Sequence, residues 1–134
     1  MNVTPPHPLA IALAFLSTFL LGGLWYSPLL FGKRWQQLVG ISDDLIRSTL
    51  ARTFAIAAGS GLLFSINLGF FVGGASTVSF GAFAGFATGL FMTCAITTSY
   101  VFARRSLALV AIDASYHLVA ATIAGTIVGA FGTH

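Results

Sequence analysis

Asp113 and His117 stand four residues apart, with Tyr116 between them, in an apolar stretch that runs from about Leu107 to Phe131 and holds no other ionisable group. Residues four apart share one helix face, so a carboxylate and an imidazole would project together, with a phenol flanking them. A carboxylate beside an imidazole could pass protons, hold a cationic or hydroxylated ligand, or fix the tautomer of a metal-binding histidine. At about 1.5 Å of rise per residue, Asp113 lies roughly 12 Å and His117 roughly 18 Å along the axis from Arg105. In a membrane helix both would be inside hydrocarbon, where a carboxylate costs about 2.5 to 3.5 kcal/mol unless it is paired, protonated or hydrated. The nearest available partner for Asp113 is His117.

The preceding apolar stretch supplies company. Thr97 lies seven residues before Arg104 and Thr93 eleven before it, which in an antiparallel helix pair predicts Thr97 at the depth of Asp113 and Thr93 at that of His117. Thr93, Thr97 and Tyr100 share a helix face, and Trp25 and Tyr26 approach the same half of the bundle from the first apolar stretch. Asp113, Tyr116, His117, Thr93, Thr97, Tyr100, Trp25 and Tyr26 are therefore the candidate lining of a polar ligand or proton pocket. The competing reading is an Asp113 and His117 pair that satisfies itself and bonds neighbouring helices. Zinc normally takes three or four ligands, and Cys94, His7 and His134 have the wrong spacing or lie at the chain ends, so no metal is expected. His117 is the only histidine inside an apolar stretch, so bis-histidine haem would need a second subunit, and no cofactor is expected. No paired carboxylate and no nucleophile with a base stands at a recognisable spacing, so no catalytic residue is assigned. Asn67 reads as an interhelical hydrogen bond and Cys94 as a small apolar packing residue.

Composition dictates which elements could position these groups. Of 134 residues only 7% are charged and 57% are hydrophobic, and the mean hydropathy is +0.94. That excludes a water-soluble globule and a disordered chain. One cysteine excludes an intrachain disulfide, and a net charge of +3 is too sparse to bind nucleic acid. A hydrocarbon core of about 30 Å needs about 20 apolar residues per helix. Four such windows occur, at about 8–31, 53–72, 80–103 and 107–131. The expected fold is all-α: a single polytopic membrane domain over residues 1–134 with four transmembrane helices. A short interfacial or cytoplasmic helix is expected around Lys33 to Val39, stopped by Gly40. Ser42 followed by Asp43 and Asp44 reads as a helix N-cap with carboxylates in the first turn.

Lys33, Arg34, Arg47 and Arg52 lie in the first connection, Arg104 and Arg105 in the third. The positive-inside bias puts both connections in the cytoplasm and both termini outside. The first window carries no basic leader and continues through Trp25, Tyr26 and Pro28, so it is expected to remain as a membrane helix rather than be cleaved. Packing between membrane helices relies on small residues. Gly81, Gly85 and Gly89 form one ridge, Ala121, Gly125 and Gly129 another. These can seat the bundle's own helices, the default, or a second copy. The expected surroundings are the lipid bilayer, with a homo-oligomer or a larger membrane complex as the partner.

Two segments resemble a known family. Gly22-Gly23-Leu24-Trp25-Tyr26-Ser27-Pro28 with Phe31-Gly32-Lys33 and Trp35 is one. Tyr100 and Phe102 with Arg104-Arg105-Ser106, then Ile112-Asp113-Ala114-Ser115-Tyr116-His117-Leu118, is the other. Together they resemble the small bacterial membrane proteins catalogued as domain of unknown function 1761, over nearly the whole chain. The resemblance implies a compact integral domain of the bacterial cytoplasmic membrane and brings no established activity. Two functions follow from the residues: a minimal transport or channel-like protein working through Asp113 and His117, or a structural or accessory subunit of a larger membrane complex.

Overall fold

In the computed structural model, which describes residues 4–132, five helices follow one another: α1 Pro8–Trp25, α2 Gly32–Val39, α3 Asp43–Val72, α4 Val78–Phe102 and α5 Leu107–Ala130. Among the described residues there is no strand. Four of the helices, all but α2, are long and apolar enough to cross a membrane.

Local chemistry accounts for the helix ends. Ser42, Thr77 and Ser106 each accept a hydrogen bond from the backbone N–H three residues on, at 3.2 Å, satisfying one of the donors that the first helical turn leaves free. Gly40 closes α2 at φ 77°, a left-handed backbone that glycine adopts without cost. Asp43 and Asp44 occupy the first turn of α3, and α3 then continues unbroken into the second apolar window.

One boundary differs from the sequence expectation. The window expected to run to Phe31 is helical only to Trp25. Pro28 has no N–H and disfavours helical backbone at Ser27. The Ser27 hydroxyl donates to the Leu24 carbonyl at 2.7 Å and accepts from the Leu29 N–H at 3.3 Å, fixing the turn. Gly32 is needed where that turn closes, because a Cβ there would overlap the backbone carbonyls of Tyr26 and Ser27.

α5 is the axis of the bundle and carries the most buried residues of any helix, from Leu109 to Gly129. α4 lies along it backbone to backbone. A Cβ on Gly81 would overlap the Gly125 carbonyl, one on Gly85 the Ala121 carbonyl and one on Gly129 the Thr77 carbonyl, while one on Gly89 would sit 2.8 Å from the Leu118 Cα. Both small-residue ridges are therefore used within the chain. At this end Ala14, Leu68, Val72, Ala84, Ala124 and Val128 make a core from four helices, with Phe64 against it. The amino-terminal segment closes the same end: the Gly74 N–H donates to the Thr4 carbonyl at 2.9 Å, and the His7 and Phe131 rings lie 5.6 Å apart. The opposite end carries α2 and the turn at Arg104 and Arg105, and so the basic connections.

Candidate functional site

Asp113 sits on the second turn of α5 and is 6% exposed. Both of its oxygens are taken. The Tyr26 hydroxyl donates to Oδ1 at 2.7 Å and the Tyr100 hydroxyl to Oδ2 at 2.8 Å. Each carboxyl oxygen thus has one phenol hydroxyl as its partner, from a different segment of the chain. Among the described residues Asp113 makes no ion pair.

Each phenol has a structural reason to be there. Tyr26 is the residue at which α1 stops, so its ring leaves the helix line and turns across α5. Tyr100 belongs to α4, whose side chains tilt toward its amino terminus and hence away from the basic end, which carries the hydroxyl to Asp113. Beside them the Trp25 indole N–H donates to the Ile112 carbonyl at 3.1 Å and the Tyr116 hydroxyl to the Thr18 carbonyl at 2.9 Å. Gly22 leaves room for Tyr116, since a Cβ there would stand 3.1 Å from the phenol oxygen.

The rings form a continuous cluster. Tyr26 meets Tyr116 at 5.5 Å and Trp35 at 5.7 Å, both edge to face. Trp25 meets Phe31 at 5.0 Å and Tyr116 at 6.2 Å. Edge-to-face contacts of this kind add about 0.5 to 1.5 kcal/mol each beyond the area they bury. The sequence pattern did not select Trp35 or Phe31 for the site. The available signal was their place just after the Trp25-Tyr26-Ser27-Pro28 turn, which folds α2 back onto Tyr26.

Not every expected residue joins the centre. His117 does not bond Asp113. It is half-buried, its ring stands against that of Tyr116 at 4.9 Å, and it makes no hydrogen bond or ion pair among the described residues. Phenols from two other helices have taken the carboxylate instead. Thr93 and Thr97 are displaced as well. Thr93 Oγ1 donates to the Gly89 carbonyl at 2.9 Å and contacts the Ala114 carbonyl at 3.4 Å, and Thr97 Oγ1 donates to the Thr93 carbonyl at 2.7 Å. The glycine seam fixes this register. It sets Thr93 against Ala114 rather than His117, and continuing the antiparallel pairing puts Thr97 about a turn nearer the basic end than Asp113. Asn67 donates to the Leu63 carbonyl of its own helix at 2.8 Å rather than across the bundle.

The two segments Trp25-Tyr26-Ser27-Pro28 and Ile112-Asp113-Ala114-Ser115-Tyr116-His117 are thus directly bonded to each other, by Trp25 to Ile112 and by Tyr26 to Asp113. Residues 9–129 match the profile of a family described as protein of unknown function (DUF1761). The chain belongs to that family. No curated protein and no solved structure matches it. In this DUF1761 chain the centre holds one carboxylate, and among the described residues no three His, Cys, Asp or Glu side chains come together. Cys94 is exposed on α4, and His134 lies outside the described residues. What the arrangement offers chemically is a buried carboxyl group held by two phenol hydroxyls and ringed by aromatic faces and edges.

Proposed function

We propose that the chain is a multi-pass membrane protein with its basic end in the cytoplasm and both termini outside, and that the Asp113 centre is the site of a minimal transport-like activity. The site takes a proton or a small organic cation. The observation that carries this reading is a buried carboxylate whose two oxygens are held only by neutral phenols. A purely structural tie between two tyrosines needs no charge, and an ionisable group inside a membrane span is costly to keep without a use. The aromatic rings add the attraction of their faces for a cation, about 2 kcal/mol or more when desolvated. A cation arriving from the basic end would displace one phenol from the carboxylate and leave the other to orient it.

Tetraphenylphosphonium is a suitable probe, added to the protein in lipid nanodiscs. Quenching of Trp25 and Trp35 fluorescence reads its binding, and uptake into proteoliposomes reads transport. Binding is expected in the wild type and at least tenfold weaker in Asp113→Asn. Equal quenching and equal uptake in the two would defeat the proposal.

A second reading has its own support. Asp113 is buried and already has a partner on each oxygen, as a residue that only clasps α1, α4 and α5 would be. The protein would then serve as a structural or accessory subunit. In that case Asp113→Asn lowers stability while neither protein binds the cation.

A further inference from the structure

The face of α3 turned away from the bundle carries a pattern that lipid contact does not call for. Thr53, Ser60 and Asn67 recur every seven residues, and Ile56, Leu63 and Phe70 recur every seven residues between them. All six are exposed, the three apolar ones at 59%, 62% and 52%. α1 packs on the opposite side of α3, where Phe54 meets Phe19, Gly61 meets Phe15 and Gly69 meets Ile11. A spacing that alternates three and four residues is the seam of a left-handed helix pair. An amide and hydroxyls facing lipid tails are unfavourable unless a partner receives them.

The polar side chains of this face are incompletely satisfied within the chain. Hydroxyls within the helices generally bond back to their own backbone, as those of Ser17, Thr18, Ser65, Thr88 and Thr126 do. The hydroxyls of Thr53 and Ser60, like those of Ser79, Thr98 and Ser99 on α4, have no hydrogen-bond partner among the described residues, so the weight on this face falls on its seven-residue recurrence and on Asn67. Asn67 spends one amide hydrogen on the Leu63 carbonyl, which leaves its Oδ1 and a second hydrogen free among those residues.

We infer that α3 is the interface of a parallel homodimer, with Thr53, Ser60 and Asn67 each facing the same residue of a second copy. Two copies inserted the same way are related by a two-fold axis along the membrane normal. That axis runs their α3 helices parallel and brings equal residues to equal depth. An amide is both donor and acceptor, so Asn67 is complementary to itself across such an axis, and a single buried Asn in a seam of this kind fixes register and the two-helix state. The glycine ridges are not free for this role, because α4 and α5 use them on each other.

The inference needs membrane insertion but not the Asp113 proposal, so extraction-resistant membrane localisation is checked first and the cation assay is left aside. Single cysteines are placed at Thr53, Ser60, Asn67 and, as the off-seam exposed control, Leu62, each in a Cys94→Ala background. Mild oxidation in native membranes is expected to link the first three into disulfide dimers and leave Leu62→Cys monomeric. In the otherwise native chain, Asn67→Leu is expected to weaken dimerisation in nanodiscs or bilayers about fivefold or more, with Asn67→Gln retaining most of it. Crosslinking that is absent, uniform, or strongest at Leu62 would overturn the interface. Dimerisation unaffected by Asn67→Leu would overturn the role given to the amide.

Discussion

Along the α4–α5 pair, the stretch from Gly81 to Gly89 touches its partner through backbone, whereas from Thr93 onward toward Tyr100 the two helices are joined by side chains. In the first region a missing Cβ is the interaction: each glycine admits a carbonyl or Cα of the facing helix to within the space a methyl group would occupy. In the second, a carboxylate gathers phenols from α1 and α4, and an indole reaches a carbonyl in the body of α5. The difference teaches what each region can tolerate. Backbone contact has no adjustable part, so it sets the register of the whole bundle. A clasp of long side chains can open at one bond while the rest holds, which is what a site that exchanges a partner requires.

The comparison is broken most severely by filling the seam. Gly85→Val places branched atoms where the Ala121 carbonyl lies, and neither backbone can give way. A loss of about 3 kcal/mol is expected, at the upper end of ordinary overpacking, seen as a large fall in the unfolding midpoint in detergent or as failure to recover folded protein. Gly59 is the internal control. A Cβ there meets nothing within 4 Å, so Gly59→Ala should stabilise by roughly 0.5 to 1 kcal/mol through helix propensity alone. If the two substitutions behave alike, the seam does not set the register.

Breaking the clasp should cost less. Tyr26→Phe removes the donor to Asp113 Oδ1 and leaves a buried acceptor unpaired, for about 1 to 3 kcal/mol. Tyr100→Phe does the same to Oδ2. Because both act on one carboxylate, the double variant should depart from the sum of the singles by about 0.5 kcal/mol or more. Additive losses measured by equilibrium unfolding would mean that the two phenols do not share a common centre.

How much of this could be read from the residues follows the same division. The seam was legible as two ridges of small residues four apart on successive helices, although that spacing alone did not choose between each other and a second copy as their partner, and the caps at Ser42 and Gly40 were legible because each acts within one turn. The end of α1 was misjudged by counting hydropathy through Pro28, which interrupts the helix whatever the apolar content. The partner of Asp113 was not legible. Spacing along α5 favours His117, whereas the phenol that binds Oδ1 comes from 87 residues away in sequence. Depth counted from Arg104 also misplaced Thr93 and Thr97, because the glycines and not the turn determine how α4 and α5 slide.

That last point can be tested at the turn itself, where the effect should be smallest. α4 ends with the Arg105 N–H donating to the Tyr100 carbonyl at 2.9 Å and the Arg104 N–H to the Val101 carbonyl at 3.1 Å, the pairing of a Schellman cap. Glycine usually holds the left-handed position in that cap, yet Arg104 stands there at φ 58°. Left-handed backbone costs a residue with a Cβ about 1 to 2 kcal/mol, partly offset by the greater freedom glycine has in the unfolded chain. If the seam and the Tyr100–Asp113 bond together impose the turn, Arg104→Gly should stabilise the protein by about 0.5 to 1 kcal/mol and leave the Tyr26→Phe and Tyr100→Phe losses unchanged. If Arg104→Gly destabilises instead, or alters those losses, the arginine side chain itself positions the helix ends, and register is set at the basic end rather than in the seam.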